Sequence, residues 1–141
     1  MQYPVLQLRP GTEVHLRNRH HSIFQTAVGK NPDAKDGDIV EVKSASGDFL
    51  CYATWISKAY ICGRAIAFEQ GDPLAQLKTA IEKSVNMRSE FFAKEETTAY
   101  RLINAEGDGV PGLICDRYGD TLVLQFTTLG MDRLRKWVTE L

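Results

Sequence analysis

Apolar and polar side chains alternate along "PVLQLR" (4–9), which puts Leu6 and Leu8 on one face of a strand. "IVEVKS" (39–44) and "FLCYATWI" (49–56) read as two further strands around the turn Ala45-Ser46-Gly47-Asp48. "ICGRAIAF" (61–68) is another strand, and Gly37-Asp38 opens the one at 39–44. The preceding "KNPDAKDGD" is a loop by its Pro, Asn, Asp and Gly content. Many short strands at this spacing predict a small β-barrel over the first half of the chain. "TEVHLRNRH" (12–20) fits either a strand or two helical turns, and periodicity does not choose between them.

The period changes at Asp72. Leu74, Leu77, Ile81, Val85 and Phe92 recur at helical spacings and form one apolar stripe over 72–93. Lys78, Glu82, Lys83 and Arg88 are expected off that stripe. Asp72 is a good N-cap and Pro73 suits the first helical position. Alternation returns over 98–127 and predicts three antiparallel strands. The last two meet at Gly119-Asp120, where glycine in the first position of a two-residue loop favours a type II′ turn. Finally "MDRLRKWVTEL" puts Met131, Leu134, Trp137, Val138 and Leu141 on one face of a helix with no stop signal. A helix showing Trp137 and Leu141 needs something to pack on. The expectation is a natural chain that continues, or a truncated piece that self-associates, as a homodimer for example.

The 141 residues suffice for one ordinary domain or two small ones. An apolar share of 43% and a charged share of 25% are those of a soluble globular chain. No apolar run approaches the roughly 20 residues of a membrane span, and the N-terminus lacks a signal-peptide core. Cys51, Cys62 and Cys115 form no CxxC pair, so the sequence suggests neither zinc nor redox chemistry. They are expected as buried thiols of a reducing, cytoplasmic compartment.

Net charge is −1, but the charge is unevenly spread. Arg9, Arg17, Arg19 and Lys30 face a single anion, Glu13, in the first 30 residues, which also hold His15, His20 and His21. In "HLRNRHHSIF" (15–24) Arg17 and Arg19 can neutralise phosphates, and His20 or His21 can stack on RNA. The alternative is a solvated basic face. If 20–21 lie on a strand, the two histidines point to opposite faces and cannot share a metal.

The anions gather instead in "YRLINAEGDGVPGLICDRYGD" (100–120). Glu106 and Asp108 stand on a glycine-rich turn, with Asp116 and Arg117 on the strand that follows. These groups can line a cleft and hold a substrate or a facing domain. Alternatively the carboxylates cap backbone N–H groups and Asp116 pairs with Arg101. "AEGDGVPG" lacks the ligand spacing of a calcium loop. The chain also has no G-x-S-x-G elbow, no P-loop and no G-x-G-x-x-G after a strand.

Arg101, Asn104, Glu106, Asp108, Pro111-Gly112-Leu113-Ile114 and Asp116-Arg117-Tyr118-Gly119 together closely resemble a family signature. It is that of the bacterial and archaeal S-adenosylmethionine-dependent rRNA (cytosine-C5) methyltransferases that carry an N-terminal PUA domain. Gly11, Arg19, His20, Ile23, Phe24, Gly37-Asp38, Val40, Val42, Ser57-Lys58 and Arg64 are similar to that PUA domain, more loosely. The family's His-Pro-Trp stands here as His20-His21-Ser22-Ile23.

The resemblance implies an α+β chain. A PUA-like barrel (1–70) is followed by a linking helix (71–96) and a three-stranded antiparallel β-hairpin module (97–128), then the start of a helix (129–141). The family's Rossmann-like catalytic domain, with its cofactor motif and catalytic cysteine, is absent, so no catalytic residue is expected here. The resemblance turns 12–20 into the short helix of a PUA barrel. It implies RNA contacts by Arg17, Arg19, His20, Lys58 and Arg64, and a cleft faced by Arg101, Glu106, Asp108, Asp116 and Arg117. In the parent protein a cysteine thiolate would attack C6 of cytosine in 23S ribosomal RNA, with methyl transfer from S-adenosylmethionine to C5. This chain would bind no cofactor and no metal, and no membrane. The alternative is a stand-alone PUA RNA-binding module without enzymatic activity.

Overall fold

The computed structural model describes residues 2–141, so the first residue of the expected barrel lies outside the described residues. The alternating first half forms β1 (Val5–Leu8), α1 (Val14–Arg17), β2 (Ser22–Phe24), β3 (Val28–Lys30), β4 (Ile39–Lys43), β5 (Phe49–Trp55) and β6 (Ile61–Ala67). Its six strands make one mixed sheet in the order β2-β6-β5-β4-β1-β3, with β1 parallel to β4.

The edge strands β2 and β3 are separated in the chain only by the 3₁₀ turn Gln25–Ala27. Four peptide steps reach at most about 14 Å. The sheet must therefore curl until its two edges nearly meet, which makes it barrel-like. Leu6, Leu8, Val40, Val42, Cys51 and Ala53 fill the inside. α1 is a single turn that drops Leu16 into the same core, shorter than either reading of 12–20.

β5 and β6 are buried along almost their whole length. The reason is a second core on the barrel's outer wall. Tyr52, Ile66 and Ala67 point outward there and pack on Leu77 and Ile81 of α2 (Pro73–Phe91). Burying two such aliphatic side chains contributes about 4 kcal/mol. Asp72 caps α2 by accepting from Leu74 N–H at 2.9 Å and Ala75 N–H at 3.3 Å.

The second sheet is β7 (Ala99–Asn104), β8 (Leu113–Tyr118) and β9 (Thr121–Phe126), antiparallel in the order β7-β8-β9. Leu102, Ile103, Leu113 and Cys115 face α2. Gly119 has φ +61 and Asp120 keeps a negative φ, the signature of the expected II′ turn rather than I′.

Three expectations need correction. The C-terminal stripe is not one helix but two short ones, α3 (Leu129–Arg133) and α4 (Arg135–Thr139), broken at Leu134. Met131 and Val138 are buried and Trp137 is half-buried against the second core, so of the stripe only Leu141 is exposed. His20 and His21 precede β2 instead of lying on a strand. Arg88 is on the packing side of α2, because a buried carbonyl and a carboxylate of the hairpin wait for it there.

α3 fastens the second sheet to the barrel. Gly130 lies so close to Thr54 of β5 that any Cβ would overlap that side chain, and Arg133 reaches Asp38 at 3.9 Å.

Candidate nucleic-acid interface

The basic residues singled out from the sequence fall along one exposed edge of the barrel. Arg17, Arg19 and His20 are exposed just before β2. β2 pairs antiparallel with β6, Ser22 opposite Arg64 and Phe24 opposite Ile61. Arg64 therefore sits abreast of the start of β2, and Lys58, in the β5–β6 turn, lies beyond its far end.

Acidic neighbours neutralise part of this set of cations. Arg17 meets Asp48 at 3.3 Å and Arg19 meets Glu69 at 2.6 Å, both in solvent, where such pairs are weak. Arg64 meets Glu106 at 3.4 Å, a contact between barrel and hairpin. Lys58 has no ion-pair partner among the described residues.

The five hairpin residues do not share one end of the hairpin. Glu106 and Asp108 are in the turn after β7, whereas Asp116 and Arg117 pair with Arg101 and Tyr100 toward the other end of the strands. The turn itself is tight, with Gly109 left-handed at φ +73.

Asp108 turns inward and accepts from Asn104 N–H at 2.6 Å and from Arg88 at 2.9 Å. Burial opposes its ionisation, but the Asn104 N–H and the Arg88 guanidinium outweigh that and hold its pKa below the usual carboxylate range. Arg88 also donates to Ser84 Oγ at 2.8 Å and Leu102 O at 3.0 Å. Asp116 takes a two-pronged bond from Arg101, Nε at 2.8 Å and Nη2 at 3.2 Å, which lowers its pKa. Arg117 donates to Gly119 O at 2.8 Å and to the Tyr100 hydroxyl at 3.1 Å.

All three of these carboxylates are thus engaged by arginines. Asp108 and Asp116 have lowered pKa values, the reverse of what a general acid needs. The cysteines are equally unsuited to attack. All three are buried; burial pushes the Cys62 thiol up to about 11 and raises Cys51 and Cys115 as well.

Sequence reasoning missed the aromatic side chains beside the basic row. Phe68, directly after β6, is half-buried next to Arg19 and His21. Tyr60 is exposed at the β5–β6 turn and tilts against Phe24. In the sequence each ends or begins an apolar strand, and only the curl of the sheet aligns them with the cations.

Residues 6–68 match the family model of a PUA-like domain. Over 96% of its length the chain is 32% identical to the ribosomal RNA large subunit methyltransferase I of Shewanella frigidimarina. Over 97% of its length it is 31% identical to the Vibrio cholerae protein of the same name. The chain spans 35% of each of these relatives, about a third of their length. A solved Streptococcus mutans protein, provisionally assigned as a SAM-dependent methyltransferase, superposes with a TM-score of 0.81 at 22% identity. It matches 99% of this chain and 36% of its own. A solved methyltransferase, also provisionally assigned and complexed with SAH, gives a TM-score of 0.82 at 22% identity. At that identity the likeness is one of fold.

Proposed function

We propose that this chain is the RNA-binding N-terminal portion of an S-adenosylmethionine-dependent methyltransferase of 23S ribosomal RNA, acting on cytosine C5 in the cytoplasm. The observation that carries the reading is similarity running through both the barrel and the hairpin sheet to ribosomal RNA large subunit methyltransferase I. The exposed cationic edge along β2 supports a share in docking RNA. The C5 position rests on the 101–119 signature alone.

In this reading S-adenosylmethionine would supply an electrophilic methyl group, and the parts of the relatives that this chain does not span would hold it. The residues here do not fit that task. A cradle for such a cofactor is a glycine-rich turn between a strand and a long helix. The passage from β6 into α2 carries one glycine, Gly71, and ends in the Asp72 carboxylate, which already occupies the helix N-terminus. What the chain's own residues do is bind and orient: Arg17, Arg19, His20 and Lys58 toward RNA, Arg64 bridging to the hairpin turn. Base extrusion for chemistry at C5 would then take place against a rigidly held RNA.

The test is a salt titration of the chain with a 23S rRNA fragment. Arg17→Ala combined with Arg19→Ala should weaken binding and flatten the slope of log affinity against log salt by about two units, about one per phosphate contact. Unchanged affinity and slope would overturn the assignment of this edge.

A further inference from the structure

Phe68 is flanked on two sides by groups suited to a nucleotide. The His21 ring meets it edge-on with centroids 5.3 Å apart. His21 Nδ1 lies 2.6 Å from Ala65 O, and since a carbonyl only accepts, that nitrogen carries the proton and Nε2 is left for an external partner. The Arg19 guanidinium lies 5.5 Å from the Phe68 ring centroid. Arg19 holds a left-handed backbone at φ +61, a conformation that a non-glycine residue enters at a cost.

Two open concavities of about 240 and 280 Å³ are both lined by Arg19 and Phe68. The first runs toward Arg17. The second is walled by His21 and by Gly109 of the hairpin turn, which has no side chain to block a backbone.

We propose that Phe68 is the stacking platform for one unpaired RNA base, with Arg19 and Arg17 on the adjoining phosphates and His21 Nε2 on the base edge. This rests on the RNA-binding reading above and deepens it by naming the form of RNA: a splayed single-stranded nucleotide. In a duplex the base faces are buried in the stack, and only an unpaired nucleotide offers one to an aromatic ring. Arg19 does not obstruct this. Among the described residues its only ion-pair partner is Glu69, and the two side chains are 65% and 69% exposed, so the pair is weak and its charge transfers readily to a phosphate.

The experiment compares a short single-stranded RNA with an RNA hairpin of the same length, by fluorescence anisotropy, on the full chain. Phe68→Leu keeps most of the apolar volume and removes the π-face; Phe68→Tyr keeps the face. Phe68→Leu should weaken single-strand binding about tenfold, about 1.4 kcal/mol, with the salt slope unchanged and hairpin binding by its stem unaffected. Phe68→Tyr should remain within about twofold of wild type, which also controls for folding. Equal single-strand binding by Phe68→Leu and wild type would overturn the platform while leaving the RNA-binding reading standing. So would equal losses on both RNAs. A wild-type chain that binds neither RNA at low salt would overturn the RNA-binding reading itself.

Discussion

Asp108→Asn isolates the clamp that fixes the hairpin turn to α2. The carboxylate accepts from Asn104 N–H at 2.6 Å and faces Arg88 at 2.9 Å, and the two side chains are only 10% and 20% exposed. A fully exposed ion pair is worth under about 1 kcal/mol, while stripping one partner from a buried pair costs about 3–5 kcal/mol. This clamp lies between the two, because Arg88 keeps Ser84 Oγ and Leu102 O as acceptors after it loses its counter-charge. The variant should lose about 2 kcal/mol at neutral pH, or about 6 °C in Tm for a chain of this length. The sign of the pH dependence follows from the lowered pKa of Asp108 in the folded state. Its contribution is fully present above the unfolded carboxyl pKa of about 3.9 and is lost as pH falls through the lower, folded value. Thermal unfolding followed by circular dichroism should therefore show a gap between wild type and variant that narrows toward about pH 3. RNA affinity of the folded variant should change less than about twofold, since the carboxylate faces inward. A variant melting within about 1 °C of wild type at neutral pH, or a gap as wide in acid as at neutrality, would refute the clamp.

Gly130→Ala should destabilise the chain by about 1–3 kcal/mol, because the new Cβ overlaps Thr54 and forces α3 away from the barrel; chemical denaturation with an unchanged midpoint would contradict this. Native protein should react with less than one equivalent of a thiol reagent at about pH 8, since burial raises all three thiol pKa values. Unfolding in guanidinium should release all three cysteines, and rapid labelling of the folded chain would show that the thiols are accessible after all.

Much of the fold could be read from local pattern. Leu6 and Leu8, or Val40 and Val42, declare a one-sided strand, and both pairs are fully or almost fully buried. Asp72 and Pro73 declare a helix start, and the observed cap bonds are those expected. What escaped was set by tertiary contact. Arg88 looks like any solvated arginine until Leu102 O and Asp108, 14 and 20 residues later, fold onto it. The Arg64–Glu106 pair joins residues 42 apart, which no window of sequence connects. The break at Leu134 is equally silent, because Met131 and Val138 would share a face of a straight helix too. The Arg101–Asp116 pair, by contrast, is open to inference from the charges, and strand register brings the two side chains together.

The placement of the second core decides what the chain can do. Had the hairpin sheet hung from a flexible linker, the barrel and the acidic turn would sample many orientations, and an RNA bound to one would be unconstrained at the other. Instead α2 buries Leu77 and Ile81 between the barrel's outer wall and the hairpin, Gly130 packs on Thr54, and Arg64 reaches Glu106. The hairpin turn is thereby held next to the concavity beside Phe68, which Gly109 helps to line. A nucleotide gripped at the barrel edge would then keep a fixed bearing relative to the hairpin. In the function proposed above, a remote reacting centre would require such a fixed bearing, because misplacement of even about 1 Å can cost about a hundredfold in rate. On this argument the ion pairs of the hairpin matter less for the charge they present than for the rigidity they impose. Variants that loosen the clamp should therefore impair positioning before they impair affinity.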